Sequence, residues 1–146
     1  MQLQEFPSSC GAAALANALE SIGTRITQKA AGKLARTDHE GTDESGIKRA
    51  IRDLGFKAVE IAIGGEHGKV ALASLIGTML LGHPVLLVVD NDTHWIAAVG
   101  LRGSSIVIVD SADGGLMSVL DHVELLSRWR GGTKKAPHFY GVAIWR

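Results

Sequence analysis

The chain holds one cysteine, Cys10, in the stretch QEFPSSCGAAALANALESIG that runs from Gln4 to Gly23. Cysteine attacks a carbonyl as its thiolate, and a thiolate needs help to form at neutral pH. A helix N-terminus supplies part of that help, because its unpaired N–H groups and aligned peptide dipoles put positive potential on the first turn. The residues after Cys10 read as a helix to Ile22. Ala13, Ala14, Ala16 and Ala18 are strong helix formers, and Gly23 is a stop. Pro7, Ser8 and Ser9 supply a turn and cap before it. Gly11, beside the thiol, has no side chain to block a substrate. On position alone, a lone cysteine is more often an ordinary small core residue.

A nucleophilic cysteine needs a histidine within hydrogen-bond reach. Of the six histidines, His39 and His67 lie in polar loops and His83 precedes Pro84 in a turn. His122 sits on a predicted helix and His138 opens the last strand. His94 differs, since it opens the apolar strand HWIAAVG directly after the polar DNDT. A strand end is rigid, yet its first residue can still face a cleft. The imidazole in turn needs an acceptor to fix its tautomer and steady its cation. Asp110, at the end of the next strand SIVIVD, is the candidate. If the hairpin turns through three residues, Leu101 to Gly103, His94 and Asp110 become direct cross-strand neighbours roughly 5 Å apart at Cβ. A two-residue loop misses that register by one. Taken alone, Asp110 would pass for a turn residue before SADGG. Acyl transfer also builds negative charge on the attacked carbonyl oxygen. The Gln4 amide, with the backbone N–H of Cys10, could donate to it; Gln2 ranks below Gln4.

These side chains must be held by elements that the patterning predicts. TQKAAGKLAR suggests a second helix capped by Thr27, and ESGIKRAIRDLG a third with Ile47, Ala50, Ile51 and Leu54 on one face. KAVEIAI alternates like a strand. Val70 to Val89 is apolar enough to suggest a membrane span, but Gly82, His83 and Pro84 divide it into a buried helix and a buried strand. PVLLVVD, HWIAAVG and SIVIVD read as strands, SVLDHVELLSRW as a helix capped by Ser118, and HFYGVAIW as a closing strand. Helices come early and strands late, which predicts an α+β fold with a mostly antiparallel sheet.

Composition narrows the function classes. The chain has 146 residues, enough for one ordinary domain. Its 15 basic and 15 acidic residues cancel, so no overall field favours nucleic acid or an anionic membrane. One cysteine makes no internal disulfide, which suits a reducing compartment and a cytoplasmic location. The N-terminus has no basic segment, the first Lys or Arg being Arg25, and reads poorly as a signal peptide. No metal-ligand spacing or cofactor motif is recognisable. GGEHGK lacks the spacing of a phosphate loop, and GGTKK reads as a solvated basic loop.

Gln4 six residues before Cys10-Gly11-Ala12-Ala13, His94 followed by an aromatic, and Asp110 sixteen residues after His94 resemble the papain-like bacteriocin-processing cysteine peptidases. GTDESGIKRAIRDLGFKAVEI and GHPVLLVVDNDTHWIAAVG are similar to that family's segments in the same order. Ser9 and Ser111 stand where the family often has an acidic residue and a proline. The resemblance implies a papain-like cysteine peptidase fold over residues 1–146, helices packed on the sheet. It implies Cys10 as nucleophile, His94 as base and acid, Asp110 as its orienter and Gln4 in the oxyanion hole. Trp95 fills the aromatic position, for packing as much as for substrate contact. The reaction implied is cleavage of a peptide or protein through a thioester, after a double glycine in that family. The chain is expected to act as a stand-alone domain beside a separate transporter or activating partner. The same triad would serve a deamidase or acyltransferase, and a module that holds a peptide without cutting it is a third reading. Three Gly-Gly pairs, at 64–65, 114–115 and 131–132, read as flexible loops rather than self-cleavage sites.

Overall fold

Small side chains and a cluster of β-branched strands shape the molecule. The structure, a computed structural model, describes every residue except Met1, Gln2, Gln4, Phe6, Glu40, Asp113, Gly114, Leu116, Lys134 and Lys135. A short turn of 3-10 helix, Pro7–Ser9, leads directly into helix α1, Cys10–Ser21. The alanines of α1 are buried along with Leu15 and Leu19, so the helix lies almost wholly inside. Helix α2, Gln28–Ala35, begins as predicted: the Thr27 hydroxyl accepts the Ala30 N–H at 3.1 Å. In α3, Glu44–Asp53, Asp43 accepts the Gly46 N–H at 2.7 Å, and the stripe of Ile47, Ala50 and Ile51 is buried.

The strands are β1 Lys57–Gly64, β2 Val85–Val89, β3 His94–Arg102, β4 Ser105–Val109, β5 Met117–Leu120, β6 Gly131–Gly132 and β7 Pro137–Trp145. They form one antiparallel sheet in the order β1-β7-β2-β3-β4-β5, with β6 added beside β7. Helix α4, Gly68–Leu80, and β2 divide the long apolar run as the Gly82 turn predicts. Alternation along β2 sends Leu86 and Val88 to a core with α1, α2 and α3. It sends Val85, Leu87 and Val89 to a second core with α4 and helix α5, His122–Trp129. With both faces covered, every β2 residue is buried.

Two helix starts differ from the expectation. Ser9, at the start of α1, makes no side-chain cap hydrogen bond, its backbone lying outside the extended conformation of a capping residue. Ser118 caps nothing; Met117–Leu120 pairs with β4 as an edge strand. Helix α5 starts at His122, where Asp121 accepts the Glu124 N–H at 2.8 Å and Glu124 reaches back to the Asp121 N–H. Two overlapping cap signals compete here, and the reciprocal pair at Asp121 and Glu124 satisfies two orphan donors where Ser118 would satisfy one.

The β3–β4 hairpin also departs from the expected register. Arg102 pairs with Ser105, so the connection is the two residues Gly103 and Ser104 rather than three. Continued unchanged, that register would leave His94 and Asp110 on opposite faces. Between Ala98 and Gly100 the ladder slips by one residue, with Val99 as the extra residue, and beyond it Ala97 pairs with Val109. Asp110 then falls level with Ile96, two residues from His94 and on its face. The two are diagonal neighbours instead of direct ones, still within reach of long side chains.

Candidate active site

Cys10 opens α1 and is 7% exposed. Burial pushes its thiol up, but a hydrogen bond with the His94 ring and the backbone N–H groups of Trp95 and Gly11 hold it below the ordinary value. The Gly11 contribution is the helix-terminus effect expected from the sequence. His94 Nε2 lies 2.7 Å from Asp110 Oδ1, which leaves Nδ1 for the sulfur. The bond to Cys10 raises the imidazole most, burial opposes it, and Asp110 adds to the rise, giving about 9. Burial pushes the Asp110 carboxyl up, yet His94, the Ala112 N–H at 3.0 Å and Arg128 hold it low. Asp110 is therefore both the turn residue and the acceptor: its Oδ1 caps the N–H two residues on while it also meets His94. The lowered thiol and the raised imidazole both favour moving the proton from sulfur to ring, the direction that a thiolate–imidazolium pair requires.

Gly11 and Trp95 sit beside this pair in a tighter arrangement than the sequence suggests. A side chain on Gly11 would meet Thr42 Cβ and Oγ1 at 2.9 Å and Trp95 at 3.3 Å. The glycine thus admits these two neighbours. Trp95 is 6% exposed and donates its indole N–H to the Thr42 carbonyl at 3.1 Å, holding Thr42 beside Gly11. Trp95 and Thr42 also border a cavity of about 400 Å³ with Asp43, Val88, Asp92 and His138. Gln4 lies outside the described residues. The backbone on either side of it is held by Gln28 of α2, whose Oε1 accepts the Glu5 N–H at 3.2 Å and whose amide N–H donates to the Leu3 carbonyl.

Three of the other histidines are engaged elsewhere. His83 stacks on Trp145 with ring centroids 4.2 Å apart, His122 meets the Ser104 carbonyl, and His138 bonds Asp92 at 2.8 Å. Among the described residues no group of three His, Cys, Asp or Glu could hold a metal ion. Two of the Gly-Gly pairs are held against β7 rather than free. Gly64 pairs with His138, and side chains at Gly131 and Gly132 would collide with Asp92 and the Ala136 carbonyl. Gly114 of the third pair lies outside the described residues.

Sequence reasoning missed Gln28, Asp90 and Arg128. Arg128, in the last turn of α5, donates from Nη2 to Asp110 Oδ2 at 3.1 Å and binds Asp90 with both Nε and Nη2, at 3.0 and 2.7 Å. No local pattern marks an arginine 18 residues beyond Asp110 as its neighbour.

The family comparison decides what this assembly belongs to. Residues 1–133 match the model of the peptidase C39 family. The chain belongs to the peptidase C39 family. As a C39 member it is a cysteine peptidase by descent. It is similar to the Lactococcus lactis subsp. lactis lactococcin-G-processing and transport ATP-binding protein LagD, 29% identical over 128 residues, which cover 88% of this chain and 17% of that relative. The chain thus spans about a sixth of that curated relative. Among solved structures, the peptidase domain of the Streptococcus ABC transporter ComA superposes with a TM-score of 0.71 at 19% identity, covering 95% of both chains. A double glycine motif protease from an AMS/PCAT transporter, solved with its leader peptide, superposes at 0.64 and 16% identity, covering 97% of this chain and 89% of that one. These likenesses establish the papain-like fold of C39 peptidase domains.

Proposed function

We propose that this C39 peptidase cleaves a leader-type peptide after a Gly-Gly pair, with Cys10 as nucleophile, His94 as acid and base, and Asp110 as orienter. The observation that carries the reading is the His94 ring, bonded to the sulfur on one side and to Asp110 at 2.7 Å on the other. The Cys10 thiolate attacks the carbonyl carbon of the second glycine. The tetrahedral oxyanion collapses, His94 gives its proton to the departing amine, and a thioester remains. His94 then takes a proton from water, whose oxygen displaces the thiolate and releases the acid. The Cys10 backbone N–H and the Gln4 amide are the donors assigned to the oxyanion. Asp110 keeps the ring in the tautomer that serves both steps and stabilises its cation.

The Gly-Gly preference draws support from the leader-bound double glycine protease and from relatives named for processing and transport. The same names support a transporter as partner. A lone thiol that must stay reduced supports a cytoplasmic setting. The cavity beside Trp95 and Thr42 offers ground along which a bound peptide would lie. The test is incubation of the protein and its Cys10→Ala variant with a library of Gly-Gly peptides, read by mass spectrometry. A new C-terminus at glycine with the native protein alone is expected. A gain of about one mass unit on a glutamine would instead mark deamidation, and cleavage that survives in Cys10→Ala removes Cys10 as nucleophile.

A further inference from the structure

The structure brings a charged side chain to the candidate triad that the family reading does not use. Trp129, fully buried, donates its indole N–H to the Tyr140 carbonyl at 2.7 Å and so seats the end of α5 on β7. The Arg128 carbonyl, one residue before it, accepts the Asp90 N–H at 2.9 Å. The Arg128 side chain is thereby delivered to a fixed place between two carboxylates on different elements. Its fork holds Asp90, the first residue of the β2–β3 loop, through two bonds. Its Nη2 also holds Asp110 Oδ2 at 3.1 Å, while the other oxygen of that carboxylate faces His94.

We propose that Arg128 is a positioning residue for the Cys10–His94 pair: one guanidinium clamps the acceptor of His94 to the loop that leads into His94. The inference rests on the reading of Cys10 and His94 as a reactive pair. An Asp110 side chain with one oxygen tied to Arg128 and the other to His94 and the Ala112 N–H has no free rotation about its carboxyl axis. The loop between β2 and His94 is fixed by the same side chain, so ring and acceptor keep one relative geometry. The clamp also sets the field. Asp90 and Asp110 face Arg128; His94 and Arg128 face Asp110; Cys10 faces His94. Asp92, the other carboxylate of the loop, turns away to His138 and the Gly132 N–H. A cation at residue 128 makes it harder to protonate the sulfur and easier to deprotonate the ring. Removing it moves both titrations upward, and removing the anion at residue 90 moves both downward.

The test needs no peptide. The second-order rate of Cys10 alkylation by iodoacetamide is followed from pH 4 to 10, with the His94 ring titration read by NMR, in the native protein and in Arg128→Gln, Arg128→Lys and Asp90→Asn. Asparagine tolerates the left-handed backbone of residue 90 as well as aspartate does, so that variant adds no backbone strain. In Arg128→Gln both transitions are expected about half a pH unit higher, with alkylation up to about threefold slower on the acid side of the thiol transition. Arg128→Lys keeps both transitions in place but remains slower, since an ammonium cannot hold two carboxylates in a planar fork. Asp90→Asn shifts both the other way by less. Superposed profiles for the native protein and Arg128→Gln, with only a lower melting temperature, reduce Arg128 to a structural ion pair and overturn the inference. A native Cys10 no more reactive at pH 6 than a free thiol overturns the reactive pair itself, and the inference with it.

Discussion

The two ends of β3 are built in opposite ways. At the Arg102 end the chain reverses through two residues, with Gly103 at φ +61 and open space where its side chain would be. At the His94 end the loop holds three consecutive residues in the left-handed region, Asp90, Asn91 and Asp92 at φ 54, 59 and 64, none of them glycine. Such backbone costs roughly 1 kcal/mol per residue even for Asn and Asp, which tolerate it best. It persists because its side chains are anchored. Asp90 is tied to Arg128, Asp92 binds His138 at 2.8 Å and the Gly132 N–H at 3.0 Å, and Thr93 donates to the Asp90 carbonyl at 2.6 Å. Strain and charge gather beside His94, and a plain turn suffices at the far end of the strand.

The largest break in that contrast comes at His94. His94→Ala should lower Gly-Gly peptide cleavage by about 10³-fold or more and bring Cys10 alkylation at pH 6 down to that of an ordinary thiol. Cleavage within tenfold of native would show that another group takes the proton. Next is the pH dependence. The raised imidazole, near 9 when folded against an ordinary 6.5, predicts that kcat/KM falls on the alkaline side with a midpoint near 9. Its share of stability is complete below pH 6.5 and vanishes as the pH rises through about 9. Urea midpoints of the native protein and His94→Gln, compared at pH 6 and pH 10, should therefore converge at the higher pH; a gap that stays constant contradicts the raised value.

Smaller effects sharpen the comparison within the loops. Asp92→Asn keeps the left-handed backbone but loses the charge that meets His138. It should cost about 0.5–1 kcal/mol, read as a melting temperature lower by a few degrees, with cleavage reduced several-fold. Gly103→Ala, at the far end, should cost about 1 kcal/mol of stability while leaving cleavage and Cys10 alkylation unchanged. If Gly103→Ala slows cleavage more than Asp92→Asn does, the two ends of β3 are not separable as described here.

Much of the architecture could be read in advance because it is encoded locally. The alanine run after Cys10, the Thr27 cap, the stripe of α3 and the Gly82 break each depend on a few adjacent residues. Where local signals overlapped, reading failed: Ser118 and Asp121 both offered a cap, and only the pairing of Met117–Leu120 with β4 chose between them. At the candidate site, the contact of His94 with Asp110 was legible from residue types but its geometry was not. His94 and Asp110 meet, yet through a two-residue turn and a bulge at Val99 instead of a three-residue turn. Gly11 was read as open space and is packed against Thr42 and Trp95.

The order of residues along the chain determined which groups were available: a thiol at a helix start, an imidazole at a strand start and a carboxylate at the end of the next strand. Tertiary structure alone decided that the last two share a face, because one extra residue in a strand inverts every side chain beyond it and no neighbouring residue announces the slip. It alone also decided that Arg128 arrives behind Asp110, since the packing of Trp129 beneath β7, far away in sequence, sets where that helix ends.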